Sequence, residues 1–280
     1  MQVIELINKG SKHLKDEKIM SHRLDSEVLL SKVLNKTREE MLINLNENLS
    51  TKIENQFYKL LKRRRAKEPI AYIFNEKEFW NHSFLVNKNT LIPRPETELL
   101  VEEIVRIYKS KAIKFLDIGT GSGCILLSIL TEIKRAKGIG VDISQKAIEL
   151  AKKNAKKLKL TNRAKFLNNS ISQLNHRLYD LIVSNPPYIM RKDLKNLDEG
   201  IRKFEPKIAL DGGNDGLDVI RKIIYKAKSI LKFKGMLALE IGNGQHKKVS
   251  KILKKYKFNT KLIVRDYREN VRCILSILEN

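Results

Sequence analysis

The chain has 280 residues, of which 42% are hydrophobic and 31% charged, a size that suits one or two domains with a core needing no staples. That composition excludes a collagen, a disordered tail and a disulfide miniprotein, and without a run of eighteen apolar residues no membrane span is expected. The formal charge is +24 and unevenly carried: residues 1–90 hold 17 basic and 12 acidic residues, residues 91–280 the other 39 and 20. A basic half points to an anionic partner such as RNA, DNA or a ribosome-associated protein. The competing reading is compositional drift in a chain rich in Lys, Asn and Ile, its lysines on solvated helix faces as in AKKNAKKLKL. Cys124 and Cys273 have no CxxC partner, so a reducing compartment is expected and a zinc site is not. MQVIELINKGSKHL lacks the basic, apolar, small-residue order of a signal peptide, which makes the expected location cytoplasmic.

In chain order, residues 1–72 read as helices. Leu24, Val28, Leu29 and Val33 recur at helical spacing, as do Phe57, Leu60 and Leu61. Asp25 or Ser26 is expected to open the first of these segments, and Ser50 or Thr51 to cap a later one. Residues 73–95 form a β-hairpin turning at Asn-His-Ser, then a linker stiffened by Pro93 and Pro95. Pro95 fits a helix start, and Glu96 and Glu98 suit the positive end of a helix dipole. From residue 96 to 280 a second domain is expected. In it KFLDIG, KGIGVDI, AKFL, LYDLIVSN and GMLALEIG are strands separated by helices such as CILLSILTEI, SQKAIELAKKNAKKL, LDVIRKIIYKAKSIL and QHKKVSKILKKY. That alternation implies an α/β fold with a doubly wound, Rossmann-like parallel sheet. FNTKLIVRD and RCILSILE close it as an antiparallel pair, because their connection is short.

Three motifs carry chemistry. The first strand of the sheet runs into Asp117-Ile118-Gly119-Thr120-Gly121-Ser122-Gly123. Ligands bind where parallel strands end, and glycines let backbone approach them closely. The pattern is GxGxG, not the dinucleotide GxGxxG, and no Walker lysine follows. Nineteen residues beyond Gly123, Asp142 ends the next strand, where a carboxylate can accept from ribose hydroxyls. Asp142 or Ser144 could instead cap the following helix. The third motif, Asn185-Pro186-Pro187-Tyr188, follows the strand LYDLIVS. Two prolines cannot continue a sheet ladder and so freeze the loop, while the Asn185 carboxamide oxygen and a proline carbonyl can jointly hold an NH2 group.

An NPPY loop after the fourth strand of a GxGxG fold resembles the amino methyltransferases that use S-adenosyl-L-methionine. The resemblance narrows to the release-factor glutamine methyltransferases (the PrmC/HemK family) through Arg63-Arg64-Arg65 with Glu68-Pro69-Ile70-Ala71-Tyr72, Glu78-Phe79-Trp80, and Leu91-Ile92-Pro93-Arg94-Pro95-Glu96-Thr97-Glu98. Phe204-Glu205-Pro206, Ala209-Leu210-Asp211-Gly212-Gly213 and Asp215-Gly216-Leu217 are similar to that family too. It implies a helical substrate-recognition domain over 1–72, a hairpin and linker over 73–95, and a methyltransferase domain over 96–280. It implies cofactor contacts at Gly119, Thr120, Gly121, Ser122, Gly123, Asp142, Ser170 and Asn185. It also implies a catalytic role for Asn185, Pro186 and Tyr188, with Pro187 beside them against the substrate and Tyr188 walling the pocket. The implied partner is a class-1 peptide chain release factor, methylated on the glutamine of its Gly-Gly-Gln loop, with no membrane and with direct nucleic-acid binding not favoured. One departure stands out: where the family has an acidic residue near the adenine, AKFLNNSIS offers Asn169 and Ser170. Two other readings stay open. A DNA or RNA adenine methyltransferase would hold an exocyclic amine in the same loop after base flipping, and a non-catalytic RNA- or ribosome-binding protein would keep only a vestigial fold.

Overall fold

A computed structural model describes residues 1–174 and 178–279. The chain forms two compact units, Met1–Phe74 with Asp198–Phe204, and Asn75–Leu197 with Glu205–Asn280. Among the described residues, no helix is long and apolar enough to cross a membrane.

The first unit contains α1 (Val3–Asp16), α2 (His22–Leu34), α3 (Arg38–Ile43), α4 (Thr51–Arg65) and α5 (Ile70–Phe74). Its core gathers Leu6, Ile7, Leu14, Leu29, Leu30, Phe57 and Leu61. Helix α1 can lie close to that core only because residue 10 is glycine: a β-carbon there would stand 2.5 Å from both the Phe57 ring and Ser26 Oγ. Two expectations need correction. Helix α2 opens at His22, after Ser21, and not at Asp25 or Ser26. Asp25 sits in the first turn, where its carboxylate takes the Ser21 hydroxyl at 2.9 Å and Arg64 at 2.7 Å. The apolar stripe is also shifted, with Leu24 49% exposed and Leu30 buried in its stead. At α4, Ser50 supplies the cap by accepting from the Ile53 amide, and Thr51 is the first helical residue. The three arginines at the end of α4 are all engaged within the unit: Arg63 with Glu68, Arg64 with Asp25 and Arg65 with Glu17.

The second unit opens with the hairpin β1 (Glu76–Phe79) and β2 (His82–Leu85). Phe79 faces His82 across the ladder, so the turn is Trp80-Asn81, ahead of the expected Asn-His-Ser. Trp80 takes a left-handed φ of 48°, as the first central position of a tight hairpin turn requires. A short 3₁₀ turn, Pro95–Thr97, leads into α6 (Glu98–Tyr108). The rest alternates: β3 (Lys114–Ile118), α7 (Cys124–Glu132), β4 (Lys137–Asp142), α8 (Gln145–Lys157), β5 (Ala164–Asn168) and β6 (Tyr179–Ser184). After α9 (Glu199–Phe204), which belongs to the first unit, come α10 (Asp218–Ile230), β7 (Leu231–Glu240), α11 (His246–Lys255), β8 (Phe258–Arg265) and β9 (Val271–Leu278).

Seven strands make one sheet in the order β5-β4-β3-β6-β7-β9-β8. The first five run parallel to one another, and β9 runs antiparallel to both β7 and β8. Alternate residues feed opposite cores. Phe115 and Leu181 pack with Leu100 of α6, Leu126 of α7 and Ile148 of α8. Leu116 and Ile182 pack with Ile223 of α10 and Leu253 of α11. Burial on both faces explains why these strands read as continuous apolar runs.

Candidate active site

The chain runs from β3 outward through β4 to β5, then returns to place β6 on the other side of β3. That reversal leaves a crevice at the carboxyl ends of β3 and β6, where open α/β sheets take their ligands. A cavity of about 490 Å³ lies there. It is lined by Gly119–Ser122 after β3, Val141–Ser144 after β4, and Ser184–Pro187 after β6. Asn89–Leu91, Pro93, Arg94 and Thr97 border it from the segment following the hairpin.

Gly119 and Gly121 have φ of 74° and 55°, a region closed to most side chains. A β-carbon at Gly119 would meet nothing within 4 Å, and one at Gly121 only the Gly119 carbonyl at 4.0 Å. Both glycines therefore leave an open backbone face. Gly123 differs from the expected cofactor contact. It does not line the cavity, and its β-carbon would press on Leu127, Ala151 and Phe166 at 3.2–3.4 Å. Its smallness serves the packing of α7 against α8 and β5. Beneath the loop, the Thr120 hydroxyl donates to Asp117 Oδ2 at 2.6 Å. Burial pushes the Asp117 carboxyl up to about 7.

Asp142 ends β4 with each carboxylate oxygen taking one backbone amide, Gly121 at 3.0 Å and Ser144 at 2.9 Å. Burial raises its pKa above the ordinary range. A carboxylate has about four acceptor sites, so Asp142 ties the glycine loop to β4 and can still accept from a ligand. The helix cap falls to Ser144, whose hydroxyl accepts from the Ala147 amide at 3.2 Å. After β5, Asn169 lines the cavity and Ser170 does not. The Ser170 hydroxyl instead contacts Ser172 Oγ at 2.8 Å and Gln173 Oε1 at 3.0 Å. The expected cofactor contact at Ser170 thus belongs to the local turn, because Ser170 caps it.

In the NPPY loop, Asn185, Pro186 and Pro187 line the cavity. Tyr188 does not, contrary to the expected pocket wall: its hydroxyl reaches Glu240 Oε1 at 3.3 Å and its ring packs against the α10–α11 core. Burial raises the Tyr188 phenol and pushes the Glu240 carboxyl up to about 7. Asn185 Nδ2 donates to Thr97 Oγ1 at 3.1 Å, and that hydroxyl donates to Glu240 Oε2 at 2.6 Å. Glu205 binds the Arg94 guanidinium at 2.6 Å and accepts from the Ile92 amide at 3.2 Å. Thr97, Glu205 and Glu240 carry no role in the sequence reading. Thr97 and Glu205 lie inside motifs that mark only family likeness, and Glu240 is one carboxylate at the end of a strand.

Residues 5–74 match the PrmC N-terminal domain family, and residues 109–273 match the Methyltransferase domain family. The release factor glutamine methyltransferase of Buchnera aphidicola subsp. Baizongia pistaciae is 42% identical over 253 residues, covering 90% of this chain and 91% of the relative. A bifunctional methyltransferase of Rickettsia prowazekii is 40% identical over 271 residues; the match takes 90% of this chain but spans only 52% of that protein's length. A methyltransferase structure from Pyrococcus furiosus shares the fold, with a TM-score of 0.54 at 15% identity over 81% of this chain and 98% of that one. The chain belongs to the release factor glutamine methyltransferase family.

Proposed function

We propose that the chain methylates the side-chain amide nitrogen of the glutamine in the Gly-Gly-Gln loop of class-1 peptide chain release factors. The observation that carries this reading is the meeting of two motifs in one cavity: the Gly119–Ser122 loop with Asp142, and Asn185-Pro186-Pro187. The residues present fit the cofactor. The open faces of Gly119 and Gly121 admit a close ligand, Asp142 has lone pairs left for ribose hydroxyls, and Ile143 and Ile171 offer apolar walls to a purine. Bound there, S-adenosylmethionine supplies an electrophilic methyl group on a sulfonium.

The chain's own task is to present a reluctant nucleophile. An amide nitrogen gives its lone pair to its carbonyl. Holding both N–H groups with acceptors orients the nitrogen and stabilises the positive charge that develops on it. The Asn185 side-chain oxygen and the Pro186 carbonyl are the proposed acceptors. The two prolines carry no N–H to compete for them and keep the loop stiff. The helical unit, which matches the PrmC N-terminal domain, is proposed to grip the protein partner.

Mass spectrometry of a release factor after incubation with the enzyme and cofactor is expected to show one added methyl on that glutamine. Replacing the glutamine abolishes it. Asn185→Ala is expected to cut turnover by about 10²–10³-fold, the scale of losing one preorganised polar partner, with cofactor affinity nearly unchanged. Asp142→Ala is expected to weaken cofactor binding by about 1.5–3 kcal/mol in calorimetry. Methylation of an adenine-containing oligonucleotide, with none of the release factor, would replace this reading by base methylation.

A further inference from the structure

Thr97 and Glu240 together set which atom Asn185 shows to the cavity. A threonine hydroxyl has one proton to donate and two lone pairs. Glu240 is buried, 2% exposed, at the end of β7. When ionised, its carboxylate only accepts. The Thr97 hydroxyl lies 2.6 Å from Glu240 Oε2 and so must point its proton there. Toward Asn185, 3.1 Å away, Thr97 Oγ1 can then only accept. The Asn185 amide group must face Thr97 with its NH2, which turns its carbonyl oxygen the other way. The second carboxylate oxygen is engaged as well, by the Tyr188 hydroxyl at 3.3 Å. Both polar side chains of the NPPY loop are thereby referred to one carboxylate.

We propose that Glu240 is a positioning residue: by taking the Thr97 proton it makes Thr97 an acceptor and holds the Asn185 oxygen toward the cavity. The inference rests on the function proposed above, where that oxygen holds the substrate's N–H. Reversed, Asn185 would offer NH2 to NH2, which stabilises nothing. A glutamine at 240 keeps the shape and loses the direction. With its oxygen on Tyr188, its NH2 donates to Thr97, and the freed Thr97 hydroxyl can then either accept from the Asn185 NH2 or donate to the Asn185 oxygen, so both orientations of the amide fit.

Ionisation matters for the same reason. Burial pushes Glu240 up to about 7; Thr97, Tyr188 and Arg272 pull against that, and Glu96 adds to it. Cys124 of α7 and Cys273 of β9 also feel the Glu240 charge, but burial carries both thiols far above neutral. Measurements therefore belong at pH 8, where Glu240 is mostly charged.

At pH 8, Glu240→Gln and Thr97→Val are each expected to lower kcat about tenfold or more, with the cofactor Kd within about twofold of wild type. Thr97→Ser restores the hydroxyl and is expected to return most of the turnover. A second readout needs no catalysis. In full-length protein labelled with ¹⁵N only at asparagine, the Asn185 amide protons should show cross-relaxation to the Thr97 methyl group, and Glu240→Gln should weaken it. Wild-type turnover in Glu240→Gln would overturn the proposal, as would equal losses in Thr97→Ser and Thr97→Val. So would an unchanged cross-peak, or variants that lose cofactor binding or folding along with turnover, since the trio would then be merely structural. If wild type methylates no release factor, the proposed function fails, and the cross-peak still decides how Asn185 is held.

Discussion

Asp117 is wholly buried at the end of β3, and Thr120 donates to its carboxylate across the turn. Its carboxyl rises from 3.8 to about 7 chiefly by burial. The folded state therefore holds the proton more tightly than the unfolded chain. The stability this contributes is complete below about pH 3.8 and is lost as pH rises through about 7. Asparagine at this position keeps an acceptor for Thr120 and does not titrate. The thermal midpoint of Asp117→Asn relative to wild type is thus expected to rise between pH 5 and pH 8. A difference that stays flat over that range would mean that Asp117 does not titrate as its burial implies. Residues at the motif ends split into two kinds. Asp142 keeps lone pairs toward the cavity, while Ser170, Tyr188 and Gly123 are consumed by local turns and packing.

At the scale of elements, one buried side chain joins three of them. Asn154 lies on α8 and is 1% exposed. Its Oδ1 accepts from the Leu85 amide at 2.8 Å, and its Nδ2 donates to the carbonyls of Leu85 at 3.0 Å and Ser122 at 2.8 Å. Helix α8 thus completes the edge of β2 as a further strand would, and steadies the end of the glycine loop as well. Asn154→Ala leaves these backbone groups short of partners in a dry place, at a cost of about 1–3 kcal/mol. Denaturant unfolding should read that loss. Hydrogen exchange should place it, with the Leu85 amide exchanging faster than those of β3. Unchanged exchange at Leu85 would mean that the hairpin is held by its apolar contacts alone, chiefly Phe79 and Phe84 in the core of the second unit.

Over the whole molecule, charge is the unusual property. Residues 219–264 hold thirteen Lys and Arg and a single acid, Glu240, which is buried. Many of these cations, among them Lys222 and Lys228 of α10 and Lys247, Lys251 and Lys255 of α11, are exposed. Such a field speeds encounter with any anionic surface and weakens as salt rises. A nucleic-acid substrate would make phosphate contacts dominate, with affinity falling steeply in salt. A release factor bound through a mixed surface is expected to show a much shallower dependence between 50 and 200 mM salt, roughly less than tenfold where nucleic acid would lose about 10³ or more. Titrating both ligands across that range decides between them.

How much of this was legible in the chain depends on the range of the cause. Strand and helix order, the GxGxG turn, the acidic end of β4 and the proline-stiffened loop after β6 follow from local chemistry: apolar periodicity, glycine's access to positive φ and proline's missing N–H. The α/β class and the parallel order up to the antiparallel closing pair follow from the same patterns, since helix-length crossovers force parallel strands. What residue 97 does for residue 185, and 240 for both, lies across 88 and 143 residues of sequence, and no periodicity carries that information. The same holds for Asn154 reaching Leu85 and for Glu205 binding Arg94. Burial likewise decided that Leu24 faces out and Tyr188 turns from the cavity, because packing against a neighbour outweighs a residue's own preference. Local pattern determined which elements form and where the cofactor loop sits; tertiary contact alone decided which side chains are free to meet a ligand and which way they point.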